Sequence, residues 1–156
     1  MKIRLLCVGT KMPAWVQAGV AEYEKRCARY LGLSLVEVPM AKRSKTVSIE
    51  QCIQKESDEL LTRVQADDFV VAMEVTGKVL ATETLAERVA QFRAEGRNLS
   101  LLIGGPDGLG AACRERANEC WSLSAMTLPH PLVRILLVEQ FYRVASILQG
   151  HPYHRD

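Results

Sequence analysis

Residues 99–110 read Leu99-Ser100-Leu101-Leu102-Ile103-Gly104-Gly105-Pro106-Asp107-Gly108-Leu109-Gly110. The first five have almost no polar alternation, and glycine ends them at once. A short apolar run of this kind predicts a strand covered on both faces, as in a parallel sheet. Four more runs resemble it: 2–8 (KIRLLCV), 33–38 (LSLVEV), 69–73 (FVVAM) and 121–123 (WSL). Most are rich in branched residues and bounded by Gly, Pro, Asp or Asn.

Between the runs the apolar spacing turns helical. Residues 14–30 place Trp15, Gly19, Tyr23 and Arg26 on one face, with Pro13 suited to the first turn. Ser48 followed by Gln51 has capping-box spacing ahead of a helix over 49–64. Residues 83–95 align Leu85, Val89 and Phe92 and stop at Gly96, a good C-cap. A short helix is read over 111–118 and a last one over 131–148. Strands alternating with helices predict an α/β fold: a mostly parallel five-stranded sheet with helices on both faces, residues 1–156 forming one domain.

Composition fits that picture. The 156 residues are 48% hydrophobic and 24% charged, ordinary for a globular protein large enough to bury a core. Twenty basic and 18 acidic groups leave a net charge of +2, which argues against a binder of DNA or RNA that relies on bulk charge. The charge is uneven, however. Residues 1–46 carry nine basic and three acidic groups, and 47–83 carry three and eight. Five cysteines, odd in number and without C-x-x-C, predict reduced thiols in a cytoplasmic protein. The first nine residues are too short an apolar run for a signal peptide, and no apolar run is long enough to span a membrane. The H-x-x-H of the tail (His151, His154) lacks a third ligand, so no metal is expected.

Ligands of open parallel sheets bind beyond the carboxyl ends of the strands. Three special segments fall there: Glu74–Gly77 after the third strand, the glycine loop 104–110 after the fourth, and Ser124–Pro131 after the fifth. The glycine loop lacks the spacings of a dinucleotide fingerprint and of a P-loop. It is either a small-ligand site or a turn that needs glycine for its own geometry. Residues 123–131 are unusually apolar for a loop, which predicts burial, either under a purine or as a plug of the core. The final helix is apolar almost all round, which predicts a second buried face in a homodimer. Two further segments stay open. The loop 39–47, with Lys42, Arg43 and Lys45, is either a mobile phosphate-contacting arm or a solvated turn. His130, between two prolines, fits a structural or capping role best. The tail 150–156 carries Tyr153, His154 and Arg155, suited to stacking on and charge contact with an anionic aromatic substrate.

The strings LLIGGPDGL (101–109), WSLSAMTLPHPLVRILLVEQFYRV (121–144), HPYHR (151–155) and VGTKMPAWV (8–16) resemble the ribosomal large-subunit methyltransferase H family, over essentially the whole chain. Asp107 stands where Glu is also common, and Met126 where Leu is expected. The resemblance implies a SPOUT-type fold with a C-terminal trefoil knot, a homodimer, and S-adenosyl-L-methionine as methyl donor. It implies methylation of N3 of a pseudouridine in 23S rRNA on the assembled ribosome. Carried over by motif, the donor site comprises Met73, Gly104, Leu123, Ser124, Ala125, Met126, Thr127 and Leu128. Tyr153, His154 and Arg155 become the catalytic candidates, with Arg134 and Arg143 as nearby positive charge. The alternatives are a non-catalytic nucleotide-binding or ribosome-associated dimeric module and, behind it, a pure dimerisation protein.

Overall fold

The computed structural model describes residues 1–155. Its strands are β1 (Ile3–Val8), β2 (Leu33–Val38), β3 (Phe69–Val79), β4 (Leu99–Ile103) and β5 (Glu119–Ser122). Its helices are α1 (Ala14–Leu31), α2 (Ile49–Leu61), α3 (Thr82–Ala94), α4 (Ala111–Arg116) and α5 (His130–Leu148), followed by a 3-10 turn at Pro152–Arg155. The sheet runs β2-β1-β4-β3-β5, and every pairing is parallel.

Alternation along each strand divides the core into two layers, because successive side chains face opposite ways. Ile3, Leu5 and Cys7 of β1 join Leu99, Leu101 and Ile103 of β4 beneath α1, α3 and α5. Leu6 and Val8 turn the other way, with Val70, Ala72 and Leu102, towards Leu60 of α2 and Cys113 of α4. The expected parallel sheet with helices on both faces is what forms.

Four local expectations change. β3 does not end at residue 73. It runs to Val79, and Trp121 of β5 pairs with both Met73 and Lys78, so 74–77 form an excursion within the strand. Gly77 is required there, since a Cβ would lie 2.5 Å from the Trp121 carbonyl carbon. β5 occupies 119–122, which leaves Leu123 in the following loop. α2 stops at Leu61 and α4 at Arg116, short of the helical pattern in each case. α5 is apolar all round largely because it lies on the sheet between α1 and α3. The large apolar residues it leaves exposed are Leu132 and Leu136, and Met126 of the preceding loop is exposed as well.

The loop 39–47 is pinned, not a free arm. Arg43 forms ion pairs with the buried Glu56 and with Asp107 of the glycine loop. Glu56 also accepts the Ala41 amide at 2.9 Å. Lys42 and Lys45 remain exposed.

Candidate functional site

The three segments picked out at the carboxyl edge of the sheet surround one cavity of about 580 Å³. That is within the usual range for a bound nucleotide-sized molecule. Met73 with the 74–76 excursion forms one wall, Gly104 and Gly108 of the glycine loop another, and Leu123, Ser124, Met126 and Leu128 a third. Six of the eight expected donor residues therefore converge. Ala125 and Thr127 do not line the cavity and are exposed.

Local chemistry shapes each wall. The glycine loop closes on itself through paired backbone at Gly105 and Gly108, Gly108 having φ +82°. A Cβ at Gly104 would lie 2.6 Å from the Gly108 carbonyl carbon, so only glycine permits this closure. In the 123–128 loop the Ser122 hydroxyl donates to the Ser124 carbonyl at 2.8 Å. The Met126 amide donates to Ser124 Oγ at 3.0 Å. Within this single chain the loop is not buried as expected, because Met126 is 76% exposed. Leu123 and Leu128 turn inward and its middle turns out to solvent.

The cavity also holds charged residues that the motif reading passed over. Arg114 Nε donates to Glu74 Oε1 at 2.7 Å, and both side chains line the wall. Glu74 opens the segment that follows the apolar run of β3, whereas Arg114 of α4 stands in no motif. His130 lines the cavity as the first residue of α5, and its Nδ1 lies 3.0 Å from the Gly104 carbonyl. His130, expected as a structural or capping residue, bonds the glycine loop and stands on the cavity wall. Arg134 is near the site but only 2% exposed, so it adds nothing to a basic surface.

The tail is elsewhere. Tyr153 packs against Tyr142 with ring centroids 4.4 Å apart, Arg143 lies over its ring, and its hydroxyl donates to Glu139 Oε1 at 3.1 Å. Burial first, then the hydrogen bond with Tyr23 and the charge of Glu139, push its phenol pKa up. α5 starts at the cavity and ends at the tail, and its 19 residues span roughly 27 Å. The 3-10 turn folds back on α5 as far as Glu139, and Tyr153, His154 and Arg155 do not line the cavity of their own chain.

A parallel α/β sheet that wraps a glycine loop and an apolar loop around one cavity at its carboxyl edge has the form of a nucleotide-binding enzyme. The family described as "Predicted SPOUT methyltransferase" matches residues 1–154, and the chain belongs to that family. A protein of Saccharophagus degradans named "Ribosomal RNA large subunit methyltransferase H" is 51% identical over 99% of this chain and 100% of its own length. One of the same name from Hahella chejuensis is 50% identical over the full length of both. Among solved structures, a probable methyltransferase from Bordetella pertussis aligns with TM-score 0.54 at 14% identity, covering 92% of this chain and 96% of its own. A putative methylase family protein from Neisseria gonorrhoeae aligns at 0.52 and 13%, covering 90% and 81%. At such identities the structural likeness shows the fold alone.

Proposed function

We propose that this SPOUT methyltransferase transfers the methyl group of S-adenosyl-L-methionine to N3 of a pseudouridine in 23S rRNA, acting as a cytoplasmic homodimer on the assembled ribosome. The observation that carries the reading is the convergence of the β3, β4 and β5 exits on one cavity, in a chain half identical to rRNA methyltransferases. The residues present suit the donor: a glycine loop whose closure at Gly104 excludes a Cβ, apolar Leu123 and Leu128 for an adenine face, and Glu74 with Arg114 for a zwitterionic tail.

When bound, the donor supplies an electrophilic methyl on a sulfonium, so the protein's work is positioning. N3 of the base must lose a proton to attack. His154 is placed as its acceptor and Arg155 as the cation that favours the anion, with Tyr153 stacking on the base. The tail residues do not line their own chain's cavity, and in this reading the partner's tail serves each site. The exposed Leu132, Leu136 and Met126 supply apolar surface for the dimer beside the cavity. A C-terminal trefoil knot belongs to the same reading, as the family's fold.

Two measurements test this. Calorimetry with S-adenosylmethionine should show binding, and its absence near millimolar concentration would exclude the enzyme reading. Labelled methyl should enter ribosomes from a strain lacking the activity and appear, on nucleoside analysis, as N3-methylpseudouridine. Binding without transfer would leave a non-catalytic module.

A further inference from the structure

Arg134 is the largest of the fully buried side chains, set in an otherwise apolar helix face. A buried guanidinium is costly unless every N–H it carries finds a partner. Its Nη1 donates to Glu37 Oε2 at 2.5 Å. Its Nη2 donates to the Gly9 carbonyl at 2.8 Å and the Val8 carbonyl at 3.2 Å. Its Nε donates to His130 Nε2 at 2.7 Å. Arg134 is thus tied to the ends of β1 and β2, and its Nε–H is directed at one imidazole nitrogen.

That last bond determines the state of the histidine. A guanidinium only donates, so His130 Nε2 must accept, and the ring is neutral with its proton on Nδ1. The Nδ1–H then donates to the Gly104 carbonyl, 3.0 Å away on the wall of the cavity. Both nitrogens are engaged, so His130 has no lone pair left to take a substrate proton.

We propose that His130 and Arg134 are positioning residues for methyl-donor binding: Arg134, braced on β1 and β2, orients the His130 ring, and the ring fixes the Gly104 carbonyl. The proposal rests on the donor reading of the cavity given above. Through His130, the sheet edge and the glycine loop become one rigid wall, which a donor meets already formed.

The charged neighbours support a neutral ring. Burial and, after it, the Arg134 charge hold the imidazole below its ordinary pKa, against smaller opposing effects of the Gly104 carbonyl and Glu37. Glu74 of β3 and Arg114 of α4, across the cavity, are paired with each other. Cys7 of β1, beside Arg134, stays a thiol, its pKa pushed up to about 12 chiefly by burial. A ring whose pKa is lowered by folding contributes fully above its unfolded value of about 6.5. That contribution is lost as pH falls through the folded value below it, when a protonated Nε2 would face Arg134.

The test combines ring 15N NMR, donor calorimetry across pH, and ribosome methylation at saturating donor. At pH 7 the His130 ring should show a protonated Nδ1 and an unprotonated Nε2. The wild-type Kd should rise about tenfold over the same pH interval in which the ring charges, the size of one lost charge-assisted hydrogen bond. His130→Gln, which keeps one acceptor and one donor, should bind within about threefold of wild type and lose the pH dependence. His130→Ala should raise Kd at least about tenfold while kcat changes less than about threefold. An Nε2-protonated tautomer, a Kd unchanged across the ring titration, or a roughly hundredfold fall in kcat at saturating donor each overturns the proposal. If His130→Ala does not fold, the wild-type tautomer and the coincidence of the two titrations decide. Failure of the wild type to bind the donor overturns the donor reading itself and this inference with it.

Discussion

Gly104 shows how strictly single residues are specified around the cavity. With its Cβ position 2.6 Å from the Gly108 carbonyl carbon, Gly104→Ala must open the turn that shapes the wall. Donor affinity should fall at least about tenfold by calorimetry, with the unfolding midpoint lowered less than a core truncation would lower it. The thiols make a second residue-scale case. Burial pushes Cys7 and Cys27 up to about 12 and raises Cys113, while Cys52 is buried and Cys120 half-buried. Thiolate is the reactive form, so native protein at pH 8 should be alkylated at Cys120 alone, and unfolded protein at all five. Mass spectrometry of iodoacetamide-treated peptides checks this, and modification of native Cys7 would contradict it.

At the scale of elements, α2 was legible because its start is local chemistry. The Gln51 amide donates to Ser48 Oγ at 3.1 Å, and the Ser48 amide donates to Gln51 Oε1 at 2.9 Å. Ser48→Ala should cost about 1 kcal/mol in urea unfolding and leave methylation unchanged, since the cap is remote from the cavity lining. The β3 excursion was not legible, because Glu74-Val75-Thr76-Gly77 carries the composition of a turn and pairing resumes beyond it through Trp121 and Ser122 of β5. The pinning of loop 39–47 escaped for a similar reason. Lys42, Arg43 and Lys45 look alike in sequence, yet only Arg43 meets a buried carboxylate and Asp107, 64 positions away.

At the scale of the whole molecule, α5 carries the functional geometry, with the cavity at its first turn and the tail after its last. A site completed by the partner's tail predicts complementation. Assayed at donor well below the wild-type Kd, Gly104→Ala and Arg155→Ala proteins should each have about a tenth of wild-type activity or less alone. Mixed after dissociation, half the dimers are heterodimers with one intact site, so activity should return to about a quarter of wild type. Absence of recovery, with heterodimers shown by native mass spectrometry, would place the tail in its own chain's site.

By itself the sequence determined the parallel sheet, the two-faced helical cover and the three exits where chemistry collects. Apolar periodicity, glycine and capping residues act within a few positions of one another, and those exits need only the strand order of action. Tertiary structure alone decided that 74–77 stay inside a strand, that Arg134 is buried with all three guanidinium nitrogens bonded, and that the tail packs on α5 and does not line its own cavity. Each of these depends on contacts between residues distant in sequence, such as Glu37 with Arg134 or Arg114 with Glu74, and no local pattern encodes a distance across the sheet.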